Sequence, residues 1–195
     1  MGSKIPQGNY LAGKLLLAMP SMGDDRFDHA VIFICAHDEN GAMGIVINNE
    51  MPEMEFTDLI PQLKIESNIK VDLDKVSLPV MCGGPVESGR GFLLHSSDFT
   101  RVDTMRVNKS YGVTGTVDAL KELATGKGPN DVLFALGYAG WDAGQLEAEL
   151  QDNAWLVVEP DHQLIFGGDP EEKWHLGISK LGIDPVMLSG AAGSA

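Results

Sequence analysis

The stretch "HAVIFICAHDENGAMGIVINN", residues 29–49, contains two apolar runs separated by a short polar turn. The first run, residues 30–36, is apolar on both alternating faces and rich in β-branched and aromatic side chains, which is typical of a central strand covered on both sides. Asp38, Asn40 and Gly41 are residue types that favour a chain reversal. Because so short a connection cannot cross over to a parallel neighbour, the stretch predicts an antiparallel hairpin.

Strand and helix patterns are mixed along the rest of the chain. Three helices are predicted, at residues 116–124, after Asp142 and after Asp169, because capping residues there precede apolar residues at helical spacing. The patterns do not alternate regularly, which favours an α+β fold over a doubly wound sheet, and 195 residues fit one domain. The further predicted strands are residues 14–19, 80–82, 91–95, 111–115, 132–137, 155–159 and 164–166.

Two segments fall outside this pattern. Residues 51–79 are more polar and contain Pro52, Pro61 and Pro79, with one short helix predicted at residues 57–63. This segment forms either a flap over the sheet or a long surface excursion. The end of the chain, about residues 189–195 of the single domain 1–195, consists of small residues and is predicted to be a flexible tail.

The charge of the chain limits its partners. The sequence has 28 acidic and 14 basic residues, a formal net charge of −14. A DNA-binding domain normally presents a basic patch, because counterion release from phosphates supplies much of its affinity. The basic residues that come nearest to a cluster are Arg90, Arg101, Arg106 and Lys109, which are spread over twenty residues. Direct nucleic-acid binding is therefore disfavoured.

The apolar content points to a location. No apolar run approaches the ~20 residues that cross a bilayer, and the N-terminal stretch lacks the pattern of a secretory signal. We therefore expect a cytoplasmic protein with no membrane association. Cys35 and Cys82 lie in apolar runs, which predicts free, buried thiols in a reducing compartment.

The segment "MCGGPVESGRGFLLH", residues 81–95, holds four glycines. It is not a Walker A loop, because Arg90 and Gly91 stand where lysine and serine or threonine belong. A strand pattern follows it, whereas a dinucleotide-binding fingerprint opens a helix. Glu87 would also repel a phosphate. We therefore predict a tight connection between two strands, with glycines supplying positive φ angles, and expect no cofactor.

Histidine and cysteine occur without a recognisable catalytic or zinc pattern. His29 and His37 are eight residues apart on the predicted strand, roughly 26 Å, so they cannot bind one metal ion. Cys35 and His37 are same-face neighbours, which permits either a thiol–imidazole contact or a core thiol beside a strand-end histidine. The chain contains no G-x-S-x-G, C-x-x-C or H-E-x-x-H motif. No catalytic residue and no metal site are predicted.

Residues 137–158, "GYAGWDAGQLEAELQDNAWLVV", describe a turn from a strand into a helix. Two interpretations remain open. In one, Trp141 and Trp155 anchor the helix to the sheet in a packed corner. In the other, Trp141 and the free N–H groups at the start of the helix form a small pocket for a ligand or partner.

Three long segments of the chain resemble the AlgH/YqgE family. They are "LAGKLLLAMPSMGDDRFDHAVIFICAHDENGAMGIVINN", "VMCGGPVESGRGFLLHSSD" and "LGYAGWDAGQLEAELQDNAWLVV", they occur in family order, and they account for most of residues 11–158. The resemblance implies one α+β domain built on a curved, largely antiparallel sheet. Some members carry the label of transcriptional regulator.

The family pattern also marks individual residues. Polar ones are His37, Asn48, His95 and Gln145. At Asn49 the sequence departs from the basic residue followed by proline that many members have, so an anion contact there is not expected. The remaining marked residues are Gly41, Gly44, Gly83, Gly84, Pro85, Gly91, Trp141, Glu147 and Trp155.

These observations favour a non-enzymatic regulatory protein that acts through a protein partner or a small bound ligand. The candidate pocket or partner site consists of His37, Asn48, His95, Trp141 and Gln145. One alternative is an enzyme of unknown class, in which His37, Asn48, His95 and Gln145 converge on one polar cleft. A regulator that binds DNA directly is the third hypothesis.

Overall fold

The predicted hairpin lies in the middle of a ten-stranded sheet. The structure, a computed structural model, describes residues 10–66, 68–72 and 76–189. The strands of this part are β1 (Leu15–Ala18), β2 (Val31–Asp38), β3 (Gly41–Val46), β4 (Glu50–Glu55), β5 (Pro79–Cys82), β6 (Val86–Ser96), β7 (Met105–Arg106), β8 (Tyr111–Thr114), β9 (Val132–Asp142) and β10 (Trp155–Val158). The α-helices are α1 (Val117–Ala124), α2 (Gln145–Gln151), α3 (His162–Phe166), α4 (Lys173–Lys180) and α5 (Pro185–Ser189), and 3₁₀ helices occur at Pro20–Met22, Asp25–Phe27, Phe56–Leu63 and Pro170–Glu172.

The sheet is largely antiparallel. Its strands follow the order β10-β1-β2-β3-β9-β6-β8-β7, with β4 joined to β5 and β5 joined to β9. The pair formed by β5 and β9 is parallel, whereas β2 and β3 form the predicted antiparallel hairpin. The sheet curls into a half-barrel. The expectation of a single α+β domain with a curved, largely antiparallel sheet is confirmed.

Both faces of the sheet centre are covered, as the apolar run 30–36 predicted. Phe33 packs into a cluster that includes Trp174 of α4. Ile34 packs on the other face, into a cluster that includes Leu146 of α2. A third cluster lies between β5, β6 and β9 of the sheet and two covering elements, α1 and the 3₁₀ helix Phe56–Leu63. The amphipathic helices thus bury their apolar sides on the sheet.

A β-bulge in β2 changes the face on which His37 lies. Ile34 opposes Gly44, but Ala36 already opposes Met43, so one extra residue, Cys35, sits in β2. An extra residue reverses the alternation of side chains beyond it. His37 therefore lies on the face of Ile34, while Cys35 points to the opposite cluster. The prediction that Cys35 and His37 share a face is wrong.

The described part of residues 51–79 covers the sheet. β4 pairs with β5, and the predicted helix 57–63 is present as the 3₁₀ helix Phe56–Leu63, which buries Phe56 and Leu63. Of the two alternatives, a flap over the sheet is correct. β4 was not predicted, because its sequence is polar and its side chains are mostly exposed or half-buried. The predicted tail 189–195 lies outside the described residues, apart from the backbone of Ser189.

The glycine-rich segment connects β5 to β6, which confirms the prediction of a strand-to-strand connection. Gly84 has φ +151°, and a Cβ built on it would lie 2.1 Å from the carbonyl carbon of Tyr138. A Cβ on Gly83 would lie 2.3 Å from the Gly137 carbonyl oxygen. The two glycines thus allow a close approach to the backbone of β9, and one of them also supplies the expected positive φ.

The predicted strand 164–166 is wrong, because these residues belong to α3. The Asp161 carboxylate accepts a hydrogen bond from the Leu164 N–H at 2.7 Å and caps that helix. Asp169 likewise caps Pro170–Glu172 at the predicted place, immediately before α4. None of the described helices is long and apolar enough to cross a membrane.

Candidate functional site

A concave surface borders the end of β9. We call it the tryptophan groove. Its volume is about 580 Å³, and it runs between the two N-terminal 3₁₀ helices, the start of β6 and α2. The lining residues are Ser21, Met22, Asp24, Arg26, Phe27, Pro85, Val86, Gly140, Trp141, Gln145, Glu149, Asp152, Ala154 and Trp155.

Glu149 fixes the floor of the tryptophan groove. One of its carboxylate oxygens accepts hydrogen bonds from both indoles, at 2.9 Å from Trp141 and 2.7 Å from Trp155. The other oxygen accepts from the Gln145 side-chain amide at 2.8 Å. The two indole rings meet edge to face, 5.9 Å between centroids. Buried indole N–H groups require a partner, and here one carboxylate serves both.

The lining of the tryptophan groove is mostly acidic among its charged residues. Asp24, Glu149 and Asp152 carry negative charge, and Arg26 carries the positive charge. The Arg26 guanidinium is already paired with the Asp24 carboxylate, through Nε at 3.0 Å and Nη2 at 2.7 Å. That pairing lowers the pKa of Asp24. Asp152 is exposed at the end of α2.

A second concave surface lies across the hairpin. We call it the hairpin depression; its volume is about 510 Å³. It shares Val86, Gly140 and Trp141 with the tryptophan groove, and its charged lining residues besides His37 are Asp38 and Asp142. A concave surface between the hairpin and the Trp141 corner is therefore present, and its charged lining is again acidic.

His37 is buried beneath α2. Its side chain is 2% exposed, and its Nε2 lies 2.9 Å from a carboxylate oxygen of Glu147. The Nε2–H group therefore donates to that carboxylate. Its Nδ1 is buried and has no hydrogen-bond partner among the described atoms. The ring of Tyr10 stacks on the imidazole, 4.7 Å between centroids.

Asn48 connects two strands. Its side-chain oxygen accepts a hydrogen bond from the Val31 N–H at 2.8 Å, and its amide donates to the His29 carbonyl at 2.9 Å. Both polar ends of the side chain are therefore engaged with the backbone at the start of β2. Asn48 follows β3 at the end remote from His37, because His37 opposes Ala42.

His95 is fully buried within the sheet. Its Nδ1–H donates to the Ser96 carbonyl at 2.9 Å, so in the neutral ring Nε2 accepts from the Thr114 hydroxyl at 2.9 Å. Burial lowers the pKa of His95. The Thr114 hydroxyl also lies 2.7 Å from that of Thr104. The imidazole thus holds β6 to β8.

The five candidate residues lie in three places, with Asn48 at the opposite end of β2 from His37. Three of them, His37, Trp141 and Gln145, lie at or near α2. His37 and Trp141 oppose Ala42 from the two strands on either side of it, so these two residues are about 10 Å apart. His95 opposes Val132, nine residues before Trp141 on β9, so it lies roughly 30 Å away along that strand. The single polar cleft imagined for the enzyme hypothesis is not formed by these side chains.

The Cys35 thiol takes no part in the site. Its Sγ is buried and donates to the Phe33 carbonyl at 3.6 Å, and burial raises the pKa of the thiol. Cys35 and Cys82 are both free, as expected, although Cys82 is only half-buried. The described residues contain no group of three His, Cys, Asp or Glu side chains that could hold a metal ion.

Two acidic residues of α2 were not among the candidate site residues of the sequence analysis. Glu147 was marked by the family pattern alone and Glu149 was not singled out, yet Glu147 binds His37 and Glu149 binds both indoles. One available signal was the spacing of Gln145 and Glu149, which places them on one helix face. A second was the need of each buried tryptophan N–H for an acceptor.

The comparisons with known proteins cover nearly the whole chain. A family model described as DUF179, AlgH-like, matches residues 15–186. A UPF0301 protein of Bradyrhizobium sp. (strain BTAi1) is 49% identical over 203 residues, covering 100% of this chain and 92% of that protein. A UPF0301 protein of Rhodopseudomonas palustris (strain HaA2) is 50% identical over 195 residues, covering 98% and 89%.

Two solved structures have the same fold. The solution structure of the AlgH protein from Pseudomonas aeruginosa superposes with a TM-score of 0.76 at 37% identity, over 100% of both chains. A crystal structure of a protein from Corynebacterium diphtheriae gives a TM-score of 0.67 at 20% identity, over 100% of this chain and 95% of that one, which shows the fold alone. The resemblance inferred from the three sequence segments is confirmed, and the chain belongs to the AlgH-like family.

Proposed function

We propose that this chain is a cytoplasmic, non-catalytic regulatory protein that binds a basic segment of a partner protein in the tryptophan groove. The observation that carries the proposal is the groove itself. It has an apolar floor held in place by Glu149, and its rim is acidic. A binding surface with preset side chains loses less conformational entropy when its partner docks.

The charges around the groove favour a basic partner. Of the charged residues that line the tryptophan groove and the hairpin depression, five are acidic and one, Arg26, is basic, setting aside His37. Because the Arg26 guanidinium is neutralised by Asp24, the free charges are negative. Complementary charge on a partner speeds encounter and disfavours partners of like charge. Aromatic and aliphatic side chains beside these carboxylates suit the stems of lysine and arginine.

The positions of the basic residues support a protein partner over DNA. Arg90 lies 3.2 Å from the Glu87 carboxylate, and Arg101 is paired with Glu122 at 2.5 Å. These two members of the loose basic cluster are therefore partly neutralised within the chain. What remains offers few charges for phosphate contacts, which dominate the affinity of DNA-binding proteins.

The test uses a substitution that leaves the core intact. Trp141 is 7% exposed, so Trp141→Ala would perturb folding together with binding. Val86 is 37% exposed on the rim of the groove, and Val157 is 37% exposed on β10, outside the described lining of both surfaces. Val86→Arg adds bulk and positive charge at the rim, and Val157→Arg is its matched control.

We expect wild type and Val157→Arg to retain the same partner from bacterial lysate, and Val86→Arg to lose it. A carbodiimide cross-link should then join a partner lysine to Asp152 or Asp142, located by mass spectrometry. Equal retention by both variants, or cross-links only to carboxylates elsewhere, would contradict the proposal. Steep loss of binding with added salt is expected as well, because the attraction is electrostatic.

A further inference from the structure

Lys173, the first residue of α4, is a buried amine outside both concave surfaces. Its side chain is 3% exposed. Its Nζ donates hydrogen bonds to two backbone carbonyls of α3, at 2.9 Å to Leu164 and 2.6 Å to Ile165. Among the described residues, no carboxylate forms an ion pair with it. Burying a lysine charge without a counter-ion is unfavourable, so burial shifts the protonation equilibrium at this position toward the neutral amine.

The side chain lines a small cavity. The cavity has a volume of about 170 Å³ and lies between α3, the start of α4 and strands β5 and β9. Its wall is mainly apolar, including Met81, Leu133 and Phe134, and Glu50 is its other charged residue. A water molecule occupies about 30 Å³ in the liquid, so the cavity has room for a molecule of a few non-hydrogen atoms.

The two hydrogen bonds of Lys173 are compatible with loss of its charge. An ammonium has three N–H groups, and a neutral amine has two N–H groups and one lone pair. The two carbonyls therefore satisfy every N–H of the neutral amine, and its lone pair remains available. Burial lowers the pKa of Lys173 to about 8. A lysine desolvated in an apolar pocket is an activated nucleophile.

We propose that Lys173 is a carbonyl-reactive amine that forms an imine with a small aldehyde or ketone held in this cavity. The nitrogen lone pair attacks the carbonyl carbon and forms the C–N bond. The nitrogen gives up two protons and the carbonyl oxygen leaves with them as water, so R–NH₂ and O=CHR′ become R–N=CHR′ and H₂O. The step requires no oxidant or reductant. This site is independent of the tryptophan groove.

The experiment treats the native protein with propanal and sodium cyanoborohydride at pH 7, which traps the imine as a propyl-lysine. Peptide mass spectrometry then follows each lysine with time. At this pH an amine of pKa about 8 is about 300-fold more deprotonated than one of pKa 10.5. We expect Lys173 to be labelled at least about tenfold faster than the exposed Lys127.

Two comparisons make the result specific. In Lys173→Arg, which keeps a donor beside the two carbonyls, the fast label should disappear while the other lysines react as before. A bulky aldehyde such as 1-naphthaldehyde should not show the preference, because the cavity is too small for it. Labelling of Lys173 at or below the rate of Lys127 in the wild-type protein would overturn the proposal, whatever the stability of the variant. The same preference for the bulky aldehyde would refute the role of the cavity.

Discussion

Replacing Glu149 by alanine should destabilise the protein by about 3 kcal/mol or more. The substitution removes the acceptor of two indole N–H groups, those of Trp141 and Trp155. A hydrogen bond to a charged group contributes about 1.5–3 kcal/mol, and leaving a buried donor without a partner costs a similar amount. Glu149 is half-buried, so water can accept part of the hydrogen bonding that the indoles lose. We therefore expect the lower end of the range for two such hydrogen bonds.

Urea unfolding followed by tryptophan fluorescence measures this change. For a chain of this size, about 3 kcal/mol also corresponds to a fall in Tm of roughly 6–12 °C. Gln151→Ala, at an exposed position of the same helix, is the matched control and should change stability by less than about 0.5 kcal/mol. The stability of Glu149→Gln should lie between those of Glu149→Ala and Gln151→Ala, because the glutamine amide oxygen still accepts a hydrogen bond.

A double-mutant cycle isolates the indole contact. Trp155→Phe removes the ring N–H while preserving an aromatic side chain, and its coupling with Glu149→Ala should be about 1–2 kcal/mol. The reasoning would be refuted if Glu149→Ala cost less than about 1 kcal/mol, or if the cycle showed no coupling. Either result would mean that water satisfies the indoles as well as the carboxylate does.

Three further predictions concern other parts of the chain. Gly84→Ala should cost at least about 3 kcal/mol in urea unfolding, since the new Cβ would meet the backbone of β9 at a positive φ, whereas Gly89→Ala, with open space around it, should be nearly neutral. Burial lowers the pKa of His95, so as the pH falls through ~6.5 the unfolded chain takes up a proton on this ring before the folded chain does. Between pH 6.5 and 5.5 the wild type should thus lose up to about 1 kcal/mol more unfolding free energy than His95→Gln; equal losses would contradict a depressed pKa. In thiol labelling with a chromogenic disulfide at pH 8, Cys82 should react well before Cys35, because the Cys35 thiol is buried and its pKa raised; the reverse order would be incompatible with the packing.

The elements that could be predicted from the sequence are those whose pattern is local. The hairpin of β2 and β3 followed from apolar runs and turn residues that lie next to each other in the chain. The glycine-rich connection was identified because its sequence departs from the Walker A and dinucleotide-binding motifs and leads into a strand pattern. By contrast, β4 was missed because its sequence is polar and shows no strand pattern. In the structure this strand joins the sheet through one neighbour, β5, which explains why it carries few buried residues. Residues 164–166 were assigned to a strand because three apolar residues have no visible period.

The candidate site was predictable only in part, because one inserted residue decides it. Regular strand alternation from Phe33 would place His37 on the same face as Cys35. The bulge at Cys35 places His37 on the other face, where it contacts Glu147. A bulge depends on how two strands pair, so no pattern within β2 alone indicates it. At the Trp141 corner the structure shows Trp141 and Trp155 packed with Leu146 of α2, as the first interpretation expected, while a pocket for a ligand or partner stays a prediction. The two indole rings are packed anchors, and the same packing shapes the groove above them.

This double role determines where variation in the groove can occur. Side chains of the floor, such as Trp141 and Glu149, are bound to each other, so changing one of them alters stability before it alters recognition. Among the described residues, the rim side chains of Val86 and Asp152 form no hydrogen bond or ion pair with the floor, so substitutions there leave the floor in place. If the groove binds a partner, specificity must therefore lie in the rim and affinity in the preset floor. A stability measurement and a binding measurement on the same four positions separate the two contributions.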